Sequence, residues 1–107
     1  MIGKIVTVTV DRPLGTYHPE HKSIYYYVNY GYIKGLIGGD GEEQDAYILG
    51  VSEPLLEFTG KVIAIIHRKN DTEDKLVVAP VGMTFTKNEI IGLTHFQERY
   101  FDIEVVL

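Results

Sequence analysis

The chain has 107 residues, a formal net charge of −5 and no cysteine. One domain of this length buries roughly two-thirds of its unfolded surface, enough for a single core, and the missing thiols exclude disulfides, thiolate nucleophiles, iron–sulfur clusters and zinc–thiolate sites. The acidic balance and scattered Lys and Arg argue against a nucleic-acid partner, and no apolar run of membrane-span length or signal-peptide pattern is present, so the expectation is a cytoplasmic protein with no membrane partner.

Residues 4–10, KIVTVTV, alternate apolar and polar with β-branched side chains and predict a strand. DRPLGTYHPEHKS follows as a loop, then IYYYVNYGYI, residues 24–33, as a second and unusually aromatic strand. KGLIGGDGEEQD is expected to be a loop and AYILGV, residues 46–51, a third strand. SEPLLEFTG links to KVIAIIHR, residues 61–68, and across the KNDTED turn KLVVAP completes a hairpin. Thr86 and Glu89 then have capping-box spacing, and Ile90, Leu93, Phe96 and Tyr100 recur at near-helical intervals. They predict a helix over 87–100, weakened by Gly92, before a last alternating segment, FDIEVVL. Short strands with one late helix suit a small closed barrel, since closure removes sheet edges.

Four acidic side chains, Asp40, Glu42, Glu43 and Asp45, fall within six residues. Most acidic turns are simply solvated. Counting from Asp40 puts Asp45 at the sixth position of an EF-hand and Val51 at the twelfth, so that motif fails. GGDG is followed by no Lys-Ser/Thr pair and is not a phosphate-cradling loop. A hard-metal site remains: Asp40 and Asp45 flank Glu42, and Mg²⁺ takes oxygen ligands while bridging to phosphates. NDTEDK supplies a second cluster, Asp71, Glu73 and Asp74, beside Lys75. Two acidic clusters, one with a lysine, suit metal-dependent phosphoryl transfer. His18 and His21 have a spacing open to metal ligation, but Pro19 disfavours the helix that would align them. The tyrosines at 25, 26, 27, 30 and 32 are expected to pack the sheet rather than stack on bases.

YYVNYGYIKG followed by DGEEQD resembles the signature of the soluble family I inorganic pyrophosphatases. EDKLVVAP is similar to that family's Asp-x-Lys strand, HFQERYFDIE to its C-terminal helix and VTVDRPLG to its Glu-Ile-Pro segment, all in the same order. The resemblance implies a mainly β fold, a small closed or partly open OB-like barrel of five to six strands with one helix in the C-terminal region, as a single domain over 1–107. It implies Mg²⁺-dependent hydrolysis of pyrophosphate, with Mn²⁺ as a substitute, and a homo-oligomer. Carried over position by position, Asp40 and Asp45 match metal ligands and Glu42 matches the residue that orients or deprotonates the attacking water. Lys75, Tyr30 and Tyr100 match phosphate contacts. The third metal-ligand region falls among Asp71, Glu73 and Asp74, with strand alternation favouring Glu73, which shares a face with Lys75. Arg68 stands where the family has a further acid, Phe101 where it has a helix-end lysine, and Tyr27 where it has a proline. The family's long N-terminal segment is reduced, and Arg12 or Lys22 is left to replace its phosphate-gripping residues. A non-catalytic binder or sensor of metal–polyphosphate is the alternative to the enzyme.

Overall fold

The computed structural model describes all 107 residues. Six strands and one helix follow in order: β1 (Ile5–Arg12), β2 (Asn29–Ile37), β3 (Glu43–Ile48), β4 (Glu57–Arg68), β5 (Asp74–Ala79), α1 (Lys87–Glu98) and β6 (Ile103–Val106). The sheet runs β1-β2-β3-β5-β4-β6, and a β1–β4 pairing closes five strands into a barrel. Only β3 and β5 are parallel. β4 makes closure work because it is long: Glu57–Lys61 pair with β1, and Ile65–Arg68 pair with β6.

Strand alternation divides the apolar residues into two cores. Val8, Val10, Ile33, Ala46, Ile48, Val62, Leu76 and Val78, drawn from all five barrel strands, fill the interior. Tyr30, Tyr47, Ala64, Ile66 and Val77 take the opposite faces and pack with Ile24, Tyr26, Ile90 and Val105 beneath the helix. Asp45 has the parity of Tyr47, and Lys75 that of Val77, so both charged residues sit on the outer, helix-covered face.

Several boundaries differ from expectation, among them the start of β4, at Glu57 within the expected link rather than at residue 61. Residues 24–28 alternate in burial but do not join the barrel. They pair with the preceding loop through Gly15 N to Tyr26 O, Tyr26 N to Thr16 O and His18 N to Ile24 O. Alternation reports which side is buried, not which segment supplies the ladder. The expected acidic loop is mostly strand, because β2 continues to Ile37 and β3 begins at Glu43. Its register slips between Tyr32 and Ile37, and Glu43 Oε2 accepts the freed amide of Gly35 at 2.9 Å. One of the four acids is thereby a structural clamp on a bulge.

The helix has the expected capping box: Glu89 N donates to Thr86 Oγ1 (3.1 Å) and Thr86 N to Glu89 Oε1 (2.8 Å). Its buried face is Ile90, Thr94, Gln97 and Glu98; of the expected stripe Ile90 is buried and Phe96 packs against the core, but Leu93 and Tyr100 are exposed. The helix covers a polar end of the outer core, where Tyr47 and Arg68 need partners more than apolar contact. No buried side-chain polar atom is left unsatisfied.

Candidate active site

A cleft of about 590 Å³ opens beside this helix. Its floor includes Tyr30, Asp45, Glu73, Lys75 and Arg68, and its walls include Arg12, His18, His21, Gln97, Tyr100 and Phe101.

A close backbone approach places Arg12. A Cβ on Gly31 would lie 1.9 Å from the carbonyl oxygen of Thr9, so only glycine lets β2 pass β1 there. Beyond this crossing the β1 register slips between Val10 and Arg12. Such bulges re-aim side chains. Arg12 donates to Tyr26 Oη at 2.7 Å, and its guanidinium lies 5.6 Å from the centre of the Tyr30 ring.

Lys75, on the floor, is a buried cation, 2% exposed. Its Nζ lies 2.6 Å from Asp45 Oδ2 and 2.9 Å from Glu73 Oε1. Tyr30 donates to the same Asp45 oxygen at 2.9 Å. Burial, then the Asp45 charge, pushes the Tyr30 phenol well above its ordinary value, so it stays a donor.

Arg68 anchors the other side. Its Nε and Nη2 hold Glu98 Oε1 and Oε2 at 2.9 and 2.6 Å, a two-point pair, and its Nη1 reaches Glu73 at 3.2 Å. Burial opposes its charge, but the Glu98 hydrogen bonds and charge more than offset that and raise its pKa. Phe101, in the helix-end lysine position, stacks 3.7 Å from the guanidinium. Glu98 also accepts from Tyr47 at 2.6 Å, Gln97 donates to Tyr47 at 2.8 Å, and Tyr26 donates to Gln97. A continuous polar chain therefore runs from Arg12 through the helix end to Asp45.

The acidic residues divide by position. Asp40, at the tip of the β2–β3 turn, is exposed and is not among the cleft-lining residues; its carboxyl group contacts that of Glu73. That contact, then the backbone N–H of Glu42, lowers the Asp40 pKa. Burial, partly offset by Lys75, raises that of Glu73. Asp71 does not reach the cleft: it is exposed and caps its own turn by accepting from Thr72 N at 2.6 Å. Asp74 does not reach it either, because it faces the other side of β5 and pairs with His67 Nδ1 at 2.7 Å. Glu42 is exposed on the turn and is not among the cleft-lining residues. Tyr100 lines the cleft beyond the end of the helix, and its hydroxyl accepts from Arg99 at 2.8 Å. No three His, Asp or Glu side chains form a group of metal-binding geometry.

Gln97, Glu98 and Tyr47 carry no sequence motif, and Tyr26, expected only to pack the sheet, joins the polar chain through Arg12 and Gln97. The signal was a polar Gln-Glu pair at the end of a helix, masked because the buried face was sought among apolar residues.

No family model matches the sequence, and no curated protein matches it significantly. Solved structures do match. An inorganic pyrophosphatase from Ehrlichia chaffeensis is similar with a TM-score of 0.72 at 17% identity, over 97% of this chain and 85% of that one. One from Neisseria gonorrhoeae gives 0.70 at 19%, over 92% and 74%. One from Coxiella burnetii gives 0.69 at 17%, over 98% and 85%. The chain thus has the fold of the bacterial inorganic pyrophosphatases, an OB-like barrel with one helix, as the sequence motifs implied.

Proposed function

We propose that the chain is a divalent-metal-dependent hydrolase of inorganic pyrophosphate. The observation that carries this reading is Lys75, buried between Asp45 and Glu73 on the floor of a cleft also lined by Arg12, Tyr30 and Tyr100. An ammonium held by two carboxylates at an open cleft is placed to meet a phosphate oxygen.

The donor set suits Mg²⁺, or Mn²⁺, of the loosely held kind. Mg²⁺ commonly uses one or two carboxylates, with water and substrate phosphates completing its shell. Asp40 and Glu73, whose carboxyl groups approach each other, could hold such a cation between them, with Asp45 on the far side of Lys75 as the neighbouring carboxylate. When bound, such an ion neutralises phosphate charge and acidifies bound water. Arg12, Lys75, Tyr30 and Tyr100 bind and orient the phosphates. Glu42 takes the proton of the attacking water, which requires its turn to close on the bound substrate.

A second reading, binding or sensing of metal–polyphosphate without hydrolysis, is favoured by one observation: Glu42 lies outside the cleft lining. Release of phosphate from pyrophosphate with Mg²⁺, then with EDTA, separates the two. Metal-dependent release supports the hydrolase, and binding without release supports the sensor.

A further inference from the structure

We infer that the loop of residues 12–24 rebuilds the phosphate grip of this cleft, with His18 donating from Nε2 to a phosphate oxygen beside Arg12. This rests on the reading of the cleft as a pyrophosphate site.

The loop is closed on itself. His18 N donates to Ile24 O, Ile24 N to His21 O, and Tyr26 N to Thr16 O. Inside it, the backbone N–H groups of Glu20 and His21 both donate to His18 Nδ1, at 3.0 and 3.1 Å. A ring nitrogen that accepts hydrogen bonds carries no proton, so the proton of the neutral ring is on Nε2. Nε2 is the ring's remaining polar atom, and His18 lines the cleft with Arg12, His21 and Lys75.

Two consequences follow from that tautomer. His18 is a poor metal ligand, because Nε2 offers a proton rather than a lone pair. It is a fixed N–H donor, suited to a tetrahedral oxyanion. Arg12 is held by Tyr26 and adds charge on the same wall. The floor offers Lys75 and Tyr30, so a two-phosphate ligand would meet donors from both wall and floor.

The test is calorimetric titration of the full chain with pyrophosphate and Mg²⁺, using the wild type, His18→Asn and His18→Gln. Asparagine keeps an acceptor near the Nδ1 position and lacks the far donor, whereas the glutamine amide reaches toward Nε2. His18→Asn is expected to bind about 10- to 100-fold more weakly, the range for a hydrogen bond to a charged group. His18→Gln should recover most of the affinity. Unchanged binding by His18→Asn, or equal loss in both variants, overturns the grip. On the wild type, imidazole ¹⁵N shifts should show the proton on Nε2, and that resonance should move when Mg²⁺–pyrophosphate is added. A proton on Nδ1, or an unmoved Nε2, overturns the inference without any variant. A wild type that binds no pyrophosphate overturns the functional reading itself, and the grip with it.

Discussion

Lys75 Nζ lies between Asp45 Oδ2 and Glu73 Oε1, at 2.6 and 2.9 Å, although strand β3 and the β4–β5 turn supply the two acids separately. Removing the cation leaves two carboxylates facing each other across its place. Lys75→Met is expected to destabilise the fold by about 3 kcal/mol, the low end for a broken buried pair, because both acids keep some exposure. Adding Asp45→Asn to Lys75→Met should restore part of that loss. Denaturant unfolding of the two single variants and the double variant measures it, and strict additivity would show the pair is not coupled.

The Arg68–Glu98 pair is more enclosed, with side-chain exposures of 6% and 1%. Glu98→Gln is expected to cost about 3 kcal/mol, since it leaves the buried guanidinium with only the longer Glu73 contact as a charge partner and weakens the bonds from Tyr47 and Arg68. Arg68→Met with Glu98→Leu should be more stable than Glu98→Gln alone. A lower melting temperature for the double variant would mean that the pair contributes net stability.

Legibility varied from one element to another. The strands, the capping box at Thr86 and the barrel with its late helix were readable because alternation and cap chemistry are local. Glu73 shares a strand face with Lys75, a relation visible in spacing alone, and the structure brings the two together at the cleft. The helix face was not legible: Gln97 and Glu98 are buried because of Tyr47 and Arg68, which are distant in sequence. Arg12 lacked a motif because its aim depends on a bulge and on the close approach at Gly31.

His18 ties stability to pH. Burial first, then the charges of Arg12 and His21, lowers its pKa from the ordinary 6.5, against a smaller opposing effect from Glu20. A histidine held neutral in the fold is protonated first in the unfolded chain. Its contribution is therefore complete above about pH 6.5 and is lost as pH falls through the lower folded value. Thermal melts from pH 8 to 5 should fall more steeply for the wild type than for His18→Asn. Parallel curves would contradict the lowered value.

Divalent metal should act through Asp40. Millimolar Mg²⁺ is expected to raise the melting temperature by mass action, and Asp40→Asn should abolish most of that rise. An equal rise in the variant would place the metal elsewhere.

Glu42→Gln is expected to lower kcat by about 10²–10⁴ while metal–pyrophosphate binding persists, the range for loss of a general base. Full activity in that variant would shift the role to Glu43, despite its contact with Gly35.

The most direct test of the central claim is a ³¹P NMR time course of pyrophosphate with the purified chain. Mg²⁺ and then EDTA are added, with Lys75→Met run in parallel. The account predicts that the pyrophosphate signal converts to phosphate only with Mg²⁺ and wild-type protein. A signal that broadens or shifts without converting would make the chain a binder. A signal that stays unchanged, or conversion that is equal with Lys75→Met, would contradict the assignment of this cleft as a pyrophosphatase site.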